Sequence, residues 1–379
     1  MKVYRAFVIN PLLEIKLETS DEEQVRFFEA RFTGLHSPHE RDPDSRTVVR
    51  LQEVPYIEIS SARVMREITI PELCLFGEQD FVIVKENKGI KIPFLEIGRS
   101  SELDIIFEAG FPTYWLWRFL DDVLSFHFIG AGASLYHAAC AKRGDCEIII
   151  PGWGGTGKTT LVLYLLEDRS SAYMAEDHFV LKETGESYVY TDAGYIAFEE
   201  RERFPAIKRK YRSPSFALGA AIARMALPLI PPKGEILEFV RRGLINVLTP
   251  KILVKLSDCI PDLQISTRRP ARRIVLQLIS QKTVVEPVIK PIDVDTLVER
   301  TIGGMQYERE DFRMAYYGFV YATGRRNPVI DHADARERQI LRKALEKSSC
   351  YEVRIGDNWP ENVDHVLHFL DRAHGILGG

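Results

Sequence analysis

The sequence predicts an α/β fold. Its 379 residues divide into a β-rich N-terminal domain over residues 1–110 and a second domain over residues 111–379, with a helix-rich insertion at about 200–265. Three observations carry that reading. Residues 1–110 hold a series of short β-branched runs broken by Pro, Gly and polar residues. Beyond Pro112, strands alternate with stretches of helical spacing. At the centre, "IIIPGWGGTGKTTLVLYLL" (148–166) joins an apolar strand to an apolar helix through a glycine-rich turn.

Taken in order, "VYRAFVIN", "RTVVRLQEV", "YIEIS", "REITI", "LCLF", "DFVIVKE", "GIKIPFLEIG" and "LDIIFEA" read as strands, and "DEEQVRFFEARF" reads as a helix. "FVIVKENKGIKIPF" reads as a hairpin around Asn87, Lys88 and Gly89. "PTYWLWRFLDDVLSFHFIG" has helical spacing and ends at Gly130 and Gly132. "SLYHAACAKRGDCEIII" then gives two strands that lead into the glycine turn. "SAYMAEDHFVL" is a strand with two acids near its end, "YVYTDAGYIAF" a hairpin and "RRIVLQLIS" a strand. In the insertion, "EILEFVRRGLINVL" reads as an amphipathic helix. Towards the end, "DARERQILRKALEK" and "PENVDHVLHFLDRA" are amphipathic helices flanking the strand "CYEVRI".

The segment Gly152, Trp153, Gly154, Gly155, Thr156, Gly157, Lys158, Thr159 fits the phosphate-loop pattern G-x-x-x-x-G-K-[ST]. Glycines let the backbone curl with its N–H groups inward, and the following helix adds the positive end of its dipole. Lys158 is expected to reach the β- and γ-phosphates, Thr159 to place its hydroxyl on Mg²⁺, and Thr160 to complete the nucleotide-binding set. Phosphoryl transfer also needs carboxylates to hold Mg²⁺ and to orient the nucleophile. Glu176 and Asp177 stand one helix and one strand beyond Lys158, where a parallel sheet would carry them to the phosphates. Alternation along the strand would send one acid to the metal and the other elsewhere. The metal set is thus drawn from Thr159, Glu176 and Asp177, with ATP and Mg as the cofactors.

Three stretches together resemble the HPr kinase/phosphorylase family and, more distantly, phosphoenolpyruvate carboxykinase. These are "HAACA" with His137, "PGWGGTGKTT", and "MAEDHFVL", where the family shows an Asp-Asp pair. The resemblance spans about residues 115–379, with gaps near 200–265. It implies a P-loop kinase domain of that type that passes the γ-phosphoryl group of ATP to a serine in a protein or peptide. His137, Lys158, Glu176 and Asp177 would then be the catalytic set. Glu176 stands where the family has its first aspartate, and the later Arg-Gly signature linked to phosphorolysis is not found. A small-molecule or RNA hydroxyl is the alternative acceptor, and a regulatory P-loop NTPase switch is the alternative activity. The basic stretches Ile207–Arg212 and Thr267–Arg273 offer a charge clamp on the phosphoryl group, a solvated face or an RNA contact.

Composition narrows the remaining classes. A net charge of −4 gives no global footprint for nucleic acid or an anionic membrane. Five cysteines without a C-x-x-C pair point to a reducing compartment. Cys140 and Cys146, flanking one turn, read as free structural thiols. The N-terminus lacks the sustained apolar core of a signal peptide, and "FALGAAIARMALPLIPP" is too interrupted to span a bilayer. The expected location is the cytoplasm, with no membrane partner; assembly as a homo-oligomer stays open. His36 and His39 read as loop residues, His365 and His368 as surface histidines. Residues 1–110 hold no catalytic constellation and are assigned to acceptor recognition or assembly.

Overall fold

The computed structural model describes residues 2–32, 46–58, 63–66, 73–76, 81–167, 171–191, 193–196, 204, 207–208, 222, 252–256, 270–281, 284, 286–356 and 359–374. The chain is a mixed α/β protein that divides into two compact units. One comprises residues 1–191 and 264–379, the other residues 192–263. In the smaller unit, strands β14 (Ala193–Ile196) and β15 (Ile252–Lys255) pair antiparallel. The expected insertion helix "EILEFVRRGLINVL" lies outside the described residues.

Among the described residues, the larger unit holds two eight-stranded sheets. The first runs in the order β1-β2-β3-β8-β7-β6-β5-β4. Its strands are β1 (Val3–Asn10), β2 (Leu13–Thr19), β3 (Thr47–Val54), β4 (Arg63–Arg66), β5 (Leu73–Phe76), β6 (Phe81–Lys85), β7 (Lys88–Lys91) and β8 (Glu102–Glu108). In β2 the alternation LEIKLET buries Leu13, Ile15, Leu17 and Thr19 on one face. The β6–β7 hairpin turns on Glu86 and Asn87, both at positive φ (51° and 66°), as a two-residue loop matched to strand twist requires. The expected strand at "YIEIS" does not form over its described residues, 56–58, and "GIKIPFLEIG" leaves the sheet after Lys91.

The expected boundary near residue 110 runs through this unit. Helix α1 (Glu22–Phe32) packs Phe28 and Phe32 against Trp117 of helix α2 (Thr113–Gly130), with Tyr190 closing the cluster. Gln24 Nε2 donates to the Phe111 carbonyl at 2.8 Å. His127 on α2 accepts from the Gly98 N–H at Nδ1 (3.0 Å), so its Nε2–H faces Thr47 Oγ1 at 2.8 Å. Burial lowers the His127 pKa to about 4 and keeps it neutral. Gly130 meets Gly98 so closely that a Cβ would stand 2.5 Å from the Gly98 Cα.

The second sheet comprises β9 (Ala133–Arg143), β10 (Cys146–Pro151), β11 (Ser171–Ala175), β12 (His178–Lys182), β13 (Ser187–Val189), β16 (Arg272–Ser280), β17 (Val288–Pro291) and β18 (Ser349–Ile355). Its order is β13-β12-β9-β10-β16-β18-β17, with β11 also on β9. Gly144, at φ 54°, closes the β9–β10 hairpin with a two-residue loop, and Cys140 and Cys146 stay free and buried. This hairpin overturns the parallel neighbourhood expected for the acid-bearing strand. β9 intervenes antiparallel to β10, and both β11 and β12 pair antiparallel to β9.

Helix α3 (Lys158–Glu167) follows β10. Helices α4 (Val294–Glu308), α5 (Glu310–Thr323), α6 (Pro328–Asp331), α7 (Ala333–Leu345) and α8 (Trp359–His374) follow among the described residues. Asp293 caps α4 by accepting from the Thr296 N–H at 2.7 Å. Two buried ion pairs fix the frame. Arg273 on β16 pairs with Glu147 on β10 at 2.5 Å and donates to the Ala344 and Gly185 carbonyls. Arg309, between α4 and α5, grips Glu337 on α7 at 2.6 and 3.0 Å, and Ser134 of β9 donates to the same carboxylate. Among the described residues, no helix is long and apolar enough to cross a membrane.

Candidate phosphate-binding site

The glycine turn leaves β10 at Pro151 and enters α3 at Lys158. Gly155 and Gly157 have φ of 78° and 87°, a region open to glycine and strained for residues with a Cβ. Gly152 bridges to Leu278 on the parallel neighbour β16, and a Cβ there would stand 2.7 Å from Thr156 Oγ1. Thr156 closes the turn by donating its N–H and its hydroxyl to the Trp153 carbonyl, at 3.2 and 2.8 Å. Among the described residues nothing stands within 4 Å of a Cβ position at Gly154 or Gly155, so the loop is open there.

Four chain segments converge on the turn. Lys158 Nζ donates to the Gly152 carbonyl at 2.8 Å and lies 3.0 Å from His137 Nε2. Thr159 donates its hydroxyl to Glu176 Oε1. His137 Nε2 is 3.0 Å from Asp177 Oδ1, and His178 Nδ1 is 3.2 Å from Asp177 Oδ2. His137 Nδ1 meets Glu308 Oε1, at the end of α4, at 2.5 Å. The two imidazoles stack with centroids 4.7 Å apart. Thr160 is buried within α3.

The backbone explains these placements. His137 sits on β9 directly opposite His178 on β12, while its neighbour Ala138 pairs with Pro151 at the mouth of the turn. Glu176 and Asp177 occupy the bend between β11 and β12, so a bend separates their directions, where strand alternation was expected to. Glu308 is held from behind: Arg118 donates to its carbonyl, and the neighbouring Arg309 is locked into the Glu337–Ser134 network.

The electrostatics follow. Burial by itself would lower the His137 pKa, but Asp177 and Glu308 outweigh burial and raise it to about 9. Burial would raise Asp177, yet His178 and His137 hold it well below the usual carboxylate range. Glu308 is likewise lowered against burial by its bond to His137. The centre therefore holds an imidazolium between two carboxylates, beside an ammonium.

A cavity of about 490 Å³ opens between the glycine turn, the end of β16 and α4, and its walls include His137, Trp153, Gln277, Arg300 and Glu308. Trp153 packs on Tyr307 of α4 with ring centroids 5.0 Å apart.

Of the residues singled out from sequence, His137, Lys158, Thr159, Glu176 and Asp177 come together. Arg273 does not join them. Its guanidinium is buried against Glu147, which removes it as a clamp on a phosphoryl group. Residues 209–212 and 267–269 of the two basic stretches, like His36 and His39, lie outside the described residues. His365 and His368 are on the exposed face of α8. His178, Glu308 and Arg118 were not anticipated. His178 adjoins the acid pair, whereas Glu308 lies in "YERED", which carries no motif. No protein-family model matches the chain, and no curated protein matches it.

Proposed function

We propose that the chain is an ATP- and Mg²⁺-dependent kinase, HPr-kinase-like in its working parts, that acts in the cytoplasm. It passes the γ-phosphoryl group to a hydroxyl, a serine in a protein or peptide. One observation carries this reading: His137 Nε2 lies 3.0 Å from both Lys158 Nζ and Asp177 Oδ1. A phosphate cradle needs only the lysine. A carboxylate beside it can position an acceptor hydroxyl, and an imidazolium there can stabilise charge on the phosphoryl group.

The residues fit the nucleotide and its metal. The turn is open at Gly154 and Gly155, and Thr159 with Glu176 offers the hard oxygen donors that Mg²⁺ prefers. Mg²⁺ held there would neutralise charge on the transferring phosphoryl group. Lys158 would leave the Gly152 carbonyl for the β- and γ-phosphates. Asp177, held ionised, orients the acceptor hydroxyl and takes its proton as the new O–P bond forms and the bond to ADP breaks. His137, protonated between its two carboxylates, stabilises negative charge on the phosphoryl oxygens.

A small-molecule hydroxyl is the second reading, favoured by the 490 Å³ cavity beside His137. The test is to incubate the protein and its Lys158→Ala variant with γ-labelled ATP and fractionated cell extract. Label on serine in the macromolecular fraction is the expected result. Label confined to small molecules selects the second reading, and no label above the Lys158→Ala background refutes both.

A further inference from the structure

We propose that His137, His178 and Glu308 form a binding site for a divalent first-row transition metal of the Zn²⁺ class, separate from the Thr159–Glu176 position suited to Mg²⁺. One ligand atom from each of the three residues lies within 4.8 Å of the others. A Zn²⁺ ion at about 2 Å from each donor sets its ligands about 3–4 Å apart, so Glu308 must draw back from His137 Nδ1 and the two stacked imidazoles must rotate to admit it.

Asp177 makes this more than a chance grouping. Its two oxygens engage His137 Nε2 at 3.0 Å and His178 Nδ1 at 3.2 Å, so one carboxylate fixes both rings. The ring nitrogens left to ligate are then His137 Nδ1 and His178 Nε2, and His137 Nδ1 already points at Glu308 Oε1, 2.5 Å away. A carboxylate behind each ligating imidazole is the usual support of metal-bound histidine, because it sets ring orientation and raises ligand basicity. Glu308 is restrained in turn through Arg118 and the neighbouring Arg309–Glu337 pair.

The donor set selects the ion. Two imidazoles and a carboxylate suit Zn²⁺, Co²⁺ or Mn²⁺ far better than Mg²⁺, which prefers oxygen donors in a strict octahedron. Three protein ligands leave a coordination position free, and His137 and Glu308 both line the 490 Å³ cavity, so that position is within reach of a small oxygen ligand there. Binding displaces the proton from His137 to solvent.

The metal-bound state excludes the protonated His137 of the kinase reading, so the two are alternative states of one centre, and the test of the metal site does not depend on kinase activity. The full chain, stripped with chelator and held in excess Mg²⁺, is titrated with Co²⁺ while visible absorption is followed. One equivalent should give a d–d band of low-symmetry nitrogen/oxygen coordination, and Zn²⁺ should bleach it. His178→Ala and Glu308→Gln should abolish the band while each retains a cooperative thermal melt. Asp177→Asn should keep it with affinity lower by about 10–100-fold, as expected of a residue supporting the ligands. Lys158→Ala, which disables the nucleotide site, should leave the band in place. No band in the wild-type chain, or a band unchanged in folded His178→Ala and Glu308→Gln, overturns the proposal.

Discussion

Replacing His137 with alanine tests geometry and function with separate readouts. The imidazole is charged in the folded chain because Asp177 and Glu308 flank it at 3.0 and 2.5 Å. A rise from 6.5 unfolded to about 9 folded is about 2.5 units, or about 3 kcal/mol of stability at about 1.4 kcal/mol per unit. The folded state holds the extra proton, so this contribution is complete below about pH 6.5. It disappears as pH rises through about 9. Chemical denaturation of wild type and His137→Ala should therefore show a loss about 3 kcal/mol larger near about pH 6 than near about pH 10. Equal losses at both pH values would refute the imidazolium assignment. Turnover is the second readout. Loss of one electrostatic group beside the phosphates should lower kcat by about two to four orders of magnitude. A variant destabilised as described yet fully active would remove His137 from the chemistry while leaving its charge state intact.

Other expected outcomes follow from the same contacts. Asp177→Asn should cost several orders of magnitude in kcat, whereas Glu176→Gln should act chiefly by raising the Mg²⁺ concentration required, because Glu176 bonds Thr159; the reverse pattern in a Mg²⁺ titration exchanges the two roles. His127, neutral to about pH 4, should make the fold acid-sensitive: below about 6.5 the unfolded chain gains a proton that the folded chain refuses, so stability falls as pH drops towards about 4. His127→Gln should flatten that slope, and an unchanged slope in denaturation curves would exclude His127 as its source. A chain starting at Phe111 should fail to fold, because it loses Phe28 and Phe32 from the Trp117 cluster and the Thr47 and Gly98 partners of His127. A cooperative melt of that truncated chain would contradict this.

The last outcome marks where sequence reading reaches its limit. Local chemistry was legible: the glycine turn, the strand before it, the helix after it and the acids beyond all depend on spacing along a few dozen residues. The β6–β7 hairpin and the long helix α2 were legible for the same reason. Long-range pairings were not. Nothing in "YERED" announces that Glu308 will face His137, because that contact is set by the Arg309–Glu337–Ser134 network, whose members are scattered along the chain. The boundary at residue 110 rests on a change in texture, from strand runs to helix. The sequence hides that His127, in the middle of a helix, hydrogen-bonds to the turn at Gly98 and the strand at Thr47. Arg273 looked like one of a basic run, and only its register opposite Glu147 identifies it as a core residue.

Strand β9 carries a consequence for how this protein can change over generations. It pairs His137 with His178 on one side and Ala138 with Pro151 on the other, so its backbone alone aligns the imidazole with the acids and the glycine turn. Substitutions along β9 alter packing by degrees. Inserting or deleting a single residue between Ala133 and His137 has no graded effect: side chains alternate between faces, so the imidazole would swing to the opposite side of the sheet. Length polymorphism should therefore be excluded from this strand even in lineages where its residues drift freely, and better tolerated in the Gly144–Asp145 loop, where an extra residue keeps the β9–β10 register and disturbs only the Asp145 carbonyl's bonds to the Ala271 and Arg272 N–H groups.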